Sequence, residues 1–118
     1  MTNRHRWIGR SAVWSACSAA VLAAGCGAPE GNIHSWNPAE RVLAIRKAAV
    51  ARNVHAVPLI VDRLEDEDAA VRMFAILALQ EITGERFGYD YSATGSRQAA
   101  AVEAWRSYVR RGGHLAGQ

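Results

Sequence analysis

The chain of 118 residues is 50% hydrophobic and 21% charged, a composition that suits a single small globular domain. Its formal charge of +3 and pI near 9.3 invite a nucleic-acid reading, which the placement of the charges removes. Arg4, Arg6 and Arg10 supply the whole excess; the basic residues beyond them equal the 11 acids in number, and no nucleic-acid partner is expected.

Those three arginines precede an uncharged run from Ser11 to Gly25, too short to span a bilayer as a helix and closing in small residues. A basic start, a short apolar run and small residues are the layout of a secretory signal, with the arginines held back on the cytoplasmic side. The run ends Leu22-Ala23-Ala24-Gly25-Cys26, which resembles the lipobox of bacterial lipoproteins, although that motif usually has leucine three places before the cysteine, where Ala23 stands. The resemblance implies that residues 1–25 are a signal peptide, that the Cys26 thiol is lipidated, and that the protein is anchored to the extracytoplasmic face of a bacterial membrane, inner or outer. Ordinary cleavage at Ala23 or Ala24 would instead leave Cys26 as a free thiol. The mature chain holds no second cysteine to pair with it.

Residues 26–36 carry Gly and Pro without periodicity and read as a tether. Asn37-Pro38-Ala39-Glu40 then signals a helix start: Asn37 caps, Pro38 suits the first helical position, and Glu40 is placed to reach back to the Asn37 N–H. That helix is expected to run to about Arg52, with Val42, Ile45 and Ala49 on its apolar face. After a turn at Asn53–Ala56, Val57, Ile60, Val61 and Leu64 mark a second helix. The acidic turn Glu65–Asp68 leads into the most apolar stretch of the chain, so short a turn requiring antiparallel neighbours. There Asp68 is the N-cap, Gly84 the stop, and Val71, Met73, Phe74, Ile76, Leu77, Leu79 and Ile82 surround most of the axis. The pattern predicts a central helix covered on several sides. Residues 85–96 form a loop in which Phe87, Tyr89 and Tyr91 alternate, so an extended conformation puts all three rings on one side. Ser96 is expected to cap a last helix from Arg97 to about Arg111, its apolar face formed by Ala101, Val102, Trp105, Tyr108 and Val109, and Gly112-Gly113 to end it before a tail at 113–118.

Setting Asn37 on Asp68 aligns two helix starts 31 residues apart, with Arg41 on Arg72 and Ala44-Ile45 on Ala75-Ile76. A period of that size marks a solenoid. The stretch from Ala56 to Leu79, with its Val-Pro-Leu opening, acidic turn, and Asp68, Val71 and Arg72 step, resembles a HEAT repeat of the short bacterial type. The resemblance covers about half the chain. It implies paired antiparallel helices in a curved stack, with Asp68 and Arg72 as a structural turn-to-helix ladder. The fold expected for residues 37–112 is therefore all-α: a short HEAT-like helical-hairpin stack of about four helices, closed by an aromatic loop and the Trp105 helix as a terminal cap.

Catalytic chemistry finds little support. His34, His55 and His114 lack zinc-ligand spacing, and Glu65–Asp68 lack the alternating oxygen ligands of a calcium loop. There is no Gly-rich phosphate loop and no Gly-x-Ser-x-Gly, so no catalytic, metal or cofactor residue is assigned. Phe87, Tyr89 and Tyr91 are candidates for partner contact or for a packed cap, and Arg46, in the middle of the first helix's apolar arc, for partner contact, snorkelling or pairing with a buried acid. The expected role is a non-catalytic protein-interaction or scaffolding module of the cell envelope. Two alternatives stay open: a small enzyme or ligand-binding protein using the Phe87–Tyr91 loop, and a subunit that stacks on its own copies.

Overall fold

The computed structural model describes residues 31–117, whose regular elements are all helical, so the expected signal segment, Cys26 and the start of the expected tether lie outside the described residues. Four α-helices follow in chain order: α1 (Pro38–Val50), α2 (Val57–Asp62), α3 (Ala69–Thr83) and α4 (Ser96–Arg110). Short 3₁₀ turns at Val54–Ala56, Arg63–Glu65 and Gly113–Leu115 join or close them.

Local chemistry sets the helix ends. The Asn37 side chain accepts from the Ala39 N–H at 3.0 Å, with Pro38 in the first turn, where no N–H is missed. Glu40 does not complete a capping box, because Ser35 Oγ already takes the Asn37 N–H at 3.1 Å. The helix stops at Val50, two residues short of expectation; the Asn53 N–H turns back to the Ala48 carbonyl and Arg52 adopts φ +47°. In α2 the second expected helix tightens into a 3₁₀ turn after Asp62, leaving Leu64 fully buried. Asp68 Oδ1 accepts from the N–H groups of Ala70 and Val71, at 2.9 and 3.0 Å. Gly84 ends α3 at φ +80°, a conformation that glycine adopts without a Cβ clash. Ser96 is not the cap of α4; Gly95 holds that position at φ +69° and Ser96 is the first helical residue.

The helices form two layers. In one, α1 and α3 lie side by side and parallel, because Arg41 at the start of α1 meets Asp66 just before α3, while Arg52 beyond α1 meets Glu81 near the end of α3. In the other, α2 and α4 are adjacent and antiparallel: Tyr89 and Gln98 gather at Leu64, whereas the 3₁₀ turns at Val54–Ala56 and Gly113–Leu115 meet at the opposite end. The core between the layers is built from Ile45, Ile60, Leu64, Val71, Ile76, Leu79, Val102 and Trp105, all fully buried. Each such side chain stabilises the fold by roughly 1.5–3 kcal/mol before entropy is counted.

Two expectations need correction, and a third needs a finer statement. The central helix is covered on several sides, by α1, α2 and the 3₁₀ turn before it, but its apolar residues are not all enclosed: Met73 and Phe74 are half-buried and Leu77 is 47% exposed among the described residues. The end of the tether is not loose, since Ile33 packs on the core and Gly31 lies so close to Ala44 that a Cβ has no room. Residues 113–115 are likewise part of the domain rather than a tail, with Gly113 pressed against the Tyr108 ring.

Candidate functional site

Arg41 and Arg72 organise the polar side of the α1–α3 layer. Arg72 Nη1 donates to the carbonyls of Asp66 and Glu67 at 2.8 and 3.1 Å, tying its helix to the turn that precedes it. Arg41 Nη1 does the same to Ser35 and Trp36 at 2.7 and 3.0 Å. Within each turn the residue before the cap's neighbour accepts the cap's N–H: Ser35 Oγ from Asn37, and Asp66 Oδ1 from Asp68 at 3.0 Å. Each of these contacts in the first turn has a partner 31 residues on.

The second branch of each arginine reaches onward along the stack. Arg41 Nη2 donates to Asp66 Oδ1 at 3.0 Å, and the two side chains are only 5% and 4% exposed. Arg63 adds a longer contact to Asp66 Oδ2 at 3.5 Å. Arg72 Nε instead meets the Tyr91 backbone carbonyl at 3.2 Å. Sequence reading placed Arg72 in such a ladder and missed Asp66, although the offset linking Arg41 to Arg72 also makes the residue two before Asp68 the natural acceptor.

The aromatic residues separate. The loop is not extended, because Phe87 has φ +51° and turns form at 87–88 and 91–92. Phe87 packs edge-on against Trp105 at 4.8 Å between ring centroids and lies 5.3 Å from Tyr108. Trp105 in turn donates its indole N–H to the Arg86 carbonyl at 3.2 Å. Tyr89, 2% exposed, donates its hydroxyl to the Leu64 carbonyl and accepts from Gln98; burial holds its pKa above the ordinary 10.0. Tyr91 points outward. Two hydrogen bonds from Ser92 hold the neighbouring Asp90 carboxyl below the usual range, which fixes the outer turn of the loop. Phe87 and Tyr89 therefore act as packing, and Tyr91 alone of the three is exposed.

Arg46 is not partner to a buried acid; that place belongs to Arg41. It is exposed, and its guanidinium sits 6.0 Å from the centroid of the Phe74 ring. Leu43 and Val50 lie one turn either side of it on α1, 37% and 88% exposed, and Leu77 lies one turn beyond Phe74 on α3. The layer thus presents a shallow apolar face with Arg46 at its centre. The structure gives Arg46 and the loop aromatics different neighbours and does not unite them in a site.

Among the described residues no three His, Cys, Asp or Glu side chains are grouped to hold a metal ion. No helix among them is long and apolar enough to cross a membrane. A polar cleft of about 260 Å³ opens beside Arg41, Arg63 and Asp66, whose charged groups are already engaged with one another. Compared with known proteins, the chain matches no family model, no curated sequence and no solved structure.

Proposed function

We propose that this chain is a HEAT-like protein-interaction module, tethered through lipid on Cys26 to the extracytoplasmic face of a bacterial membrane, and that it works without catalysis. The observation that carries the binding part is the α1–α3 face: Leu43, Val50 and Leu77 are exposed and Phe74 half-buried on two parallel helices, side by side on one face. An apolar face with one arginine suits a protein surface that offers apolar side chains and a carboxylate or aromatic ring for Arg46. The HEAT-like reading is supported by the recurrence of the turn contacts 31 residues apart. The envelope address is supported by the arginines, the uncharged run and Cys26.

A photocrosslinking residue at Leu77, compared with one at Ala99 on the outer side of α4, tests the binding face in membranes of the producing cell. A discrete adduct at position 77 and none at 99 is expected; equal or absent adducts would refute the reading. Mass spectrometry of the mature N-terminus should find an acylated Cys26, and an unmodified start at Ala24 or Gly25 removes the anchor.

A further inference from the structure

Among the described residues Trp36 carries the most exposed large apolar side chain, at 89%, yet its backbone is held firmly. Arg41, itself buried, donates to the Ser35 and Trp36 carbonyls at 2.7 and 3.0 Å. Asn32 closes the turn before them, its carbonyl and side chain accepting the N–H groups of Ser35 and His34 at 3.1 and 2.9 Å. The ring is therefore presented on a rigid turn rather than on a loose arm. The exposed residues closest to it in sequence, Asn32, His34, Ala39 and Glu40, are polar or small. Aromatic anchors of protein interfaces sit among neighbours that shut water out, and these residues supply no such rim. The headgroup layer of a bilayer needs no fitted rim, and tryptophan, an apolar ring system with one N–H donor, is among the residues that settle there.

The length of the chain brings a bilayer within reach of the ring. Lipid on Cys26 fixes that residue at the membrane, and Gly31 follows five residues later, a span of at most about 18 Å when fully extended. Gly31 is pressed against α1 at Glu40 and Ala44, and Trp36 is bound to the same helix through Arg41. Both contacts fall in the first two turns of α1, a helix of 13 residues and hence about 20 Å long. The domain therefore cannot stand clear of the bilayer by more than about the length of one of its own helices, and the part held closest is the one that carries Trp36.

We propose that Trp36 is a second membrane contact, its indole seated in the headgroup layer of the bilayer that holds the lipid of Cys26. The proposal rests on the lipidation reading and adds an orientation to it. A single ring binds a bilayer weakly, but the lipid makes its insertion an intramolecular step, so the contact forms without help from a cationic patch. Two points of attachment, one of them on a rigid turn, keep the N-terminal end of α1 toward the bilayer. The opposite end, where the turns at Val54–Ala56 and Gly113–Leu115 meet, is turned away.

From Cys26 onward the chain has two tryptophans, Trp36 and the fully buried Trp105, so changes in intrinsic fluorescence report on Trp36. The protein is purified from membranes of the producing cell, its N-terminus is read by mass spectrometry, and it is reconstituted into phosphatidylcholine vesicles. The acyl chains of these vesicles carry bromine either close to the headgroup or at the far end. Shallow bromines should quench the Trp36 emission, and deep ones should leave it nearly intact. Trp36→Ser should abolish the quenching while circular dichroism stays that of the parent. Leu115→Trp in the Trp36→Ser background puts a ring at the opposite end, on a position 42% exposed, and should restore no quenching. An acylated protein whose emission neither set of bromines alters, or quenching equal at positions 36 and 115, overturns the proposal and leaves the anchor standing. A Cys26 without lipid removes both. A photocrosslinking residue at position 36 that captures a protein and no lipid in membranes also overturns the proposal, because the ring would then belong to a protein interface.

Discussion

The two flanks of the α2–α3 pair are treated differently. On the C-terminal flank, the loop and α4 bring Tyr89, Val102 and Trp105 into the core, and Phe87 and Tyr108 close around the indole. On the N-terminal flank, α1 brings Ile45 and Arg41 to the core, and among the described residues beyond it Ile33 and Gly31 lie over its outer side. The difference is that the C-terminal flank has been given aromatic bulk, whereas α1 carries alanines such as Ala44 and Ala48.

The sharpest way to break that contrast is at Trp105. Trp105→Ala should destabilise the domain by up to about 5 kcal/mol, since it empties the site around which Phe87 and Tyr108 are arranged. For a chain this small that is a large share of the total, and a guanidinium melt should show the variant partly unfolded in buffer. A midpoint close to the parent's would mean that α4 is a loosely held appendage.

Asp66→Ala comes next, at about 3 kcal/mol or more, because it strands a buried guanidinium and removes the acceptor for the Asp68 N–H together. Arg41→Met, which removes the charge and keeps the stem, should cost clearly less. The reverse order in thermal melts would show that the Arg41–Asp66 pair is not the joint between α1 and α3.

Tyr89→Phe should cost about 1–3 kcal/mol by leaving the Leu64 carbonyl without its donor. It also carries a pH signature. Burial raises the folded-state pKa of Tyr89 above 10.0, so the unfolded chain releases this proton first as pH rises. The contribution is complete below pH 10 and declines above it, and Tyr89→Phe should flatten that decline. Tyr108, raised for the same reason, keeps part of it.

The smallest effects belong to the open surfaces. Leu77→Ser, Val50→Ser and Tyr91→Ser should each move stability by less than about 0.5 kcal/mol, as exposed positions usually do. A melt shifted well beyond that by Leu77→Ser would show that the α1–α3 face is part of the core rather than a place for a partner.

Much of this was legible in the sequence where the cause is local. Asp68 and Gly84 bracket α3 because a carboxylate beside free N–H groups and a residue without a Cβ act within a few positions. The apolar periods of α1 and α4 likewise identified Ile45, Val102 and Trp105. What escaped depends on neighbours distant in the chain. Alternation along Phe87, Tyr89 and Tyr91 suggested one shared side, but Trp105 and Leu64 draw two of the rings inward and leave the third out. Arg46 looked like the arginine in need of an acid, and Arg41 turned out to be buried, since only the packing of α1 on α3 brings Asp66 within reach. The density of apolar residues on α3 could not reveal that Leu77 would stay exposed, because hydrophobicity is the same whether the cover is the chain's own or another's.

The onward contact of Arg72 has an evolutionary consequence. The onward bond of Arg41 from α1 towards α3 ends on the carboxylate of Asp66, and a single base change at the Asp66 codon can remove that bond. At the loop, the same kind of arginine meets a main-chain oxygen, which every amino acid supplies. Position 91 is thus free to drift in side-chain identity while the anchorage of the closing loop is inherited intact, and the exposed Tyr91 side chain can be recruited or lost without loosening the end of the fold.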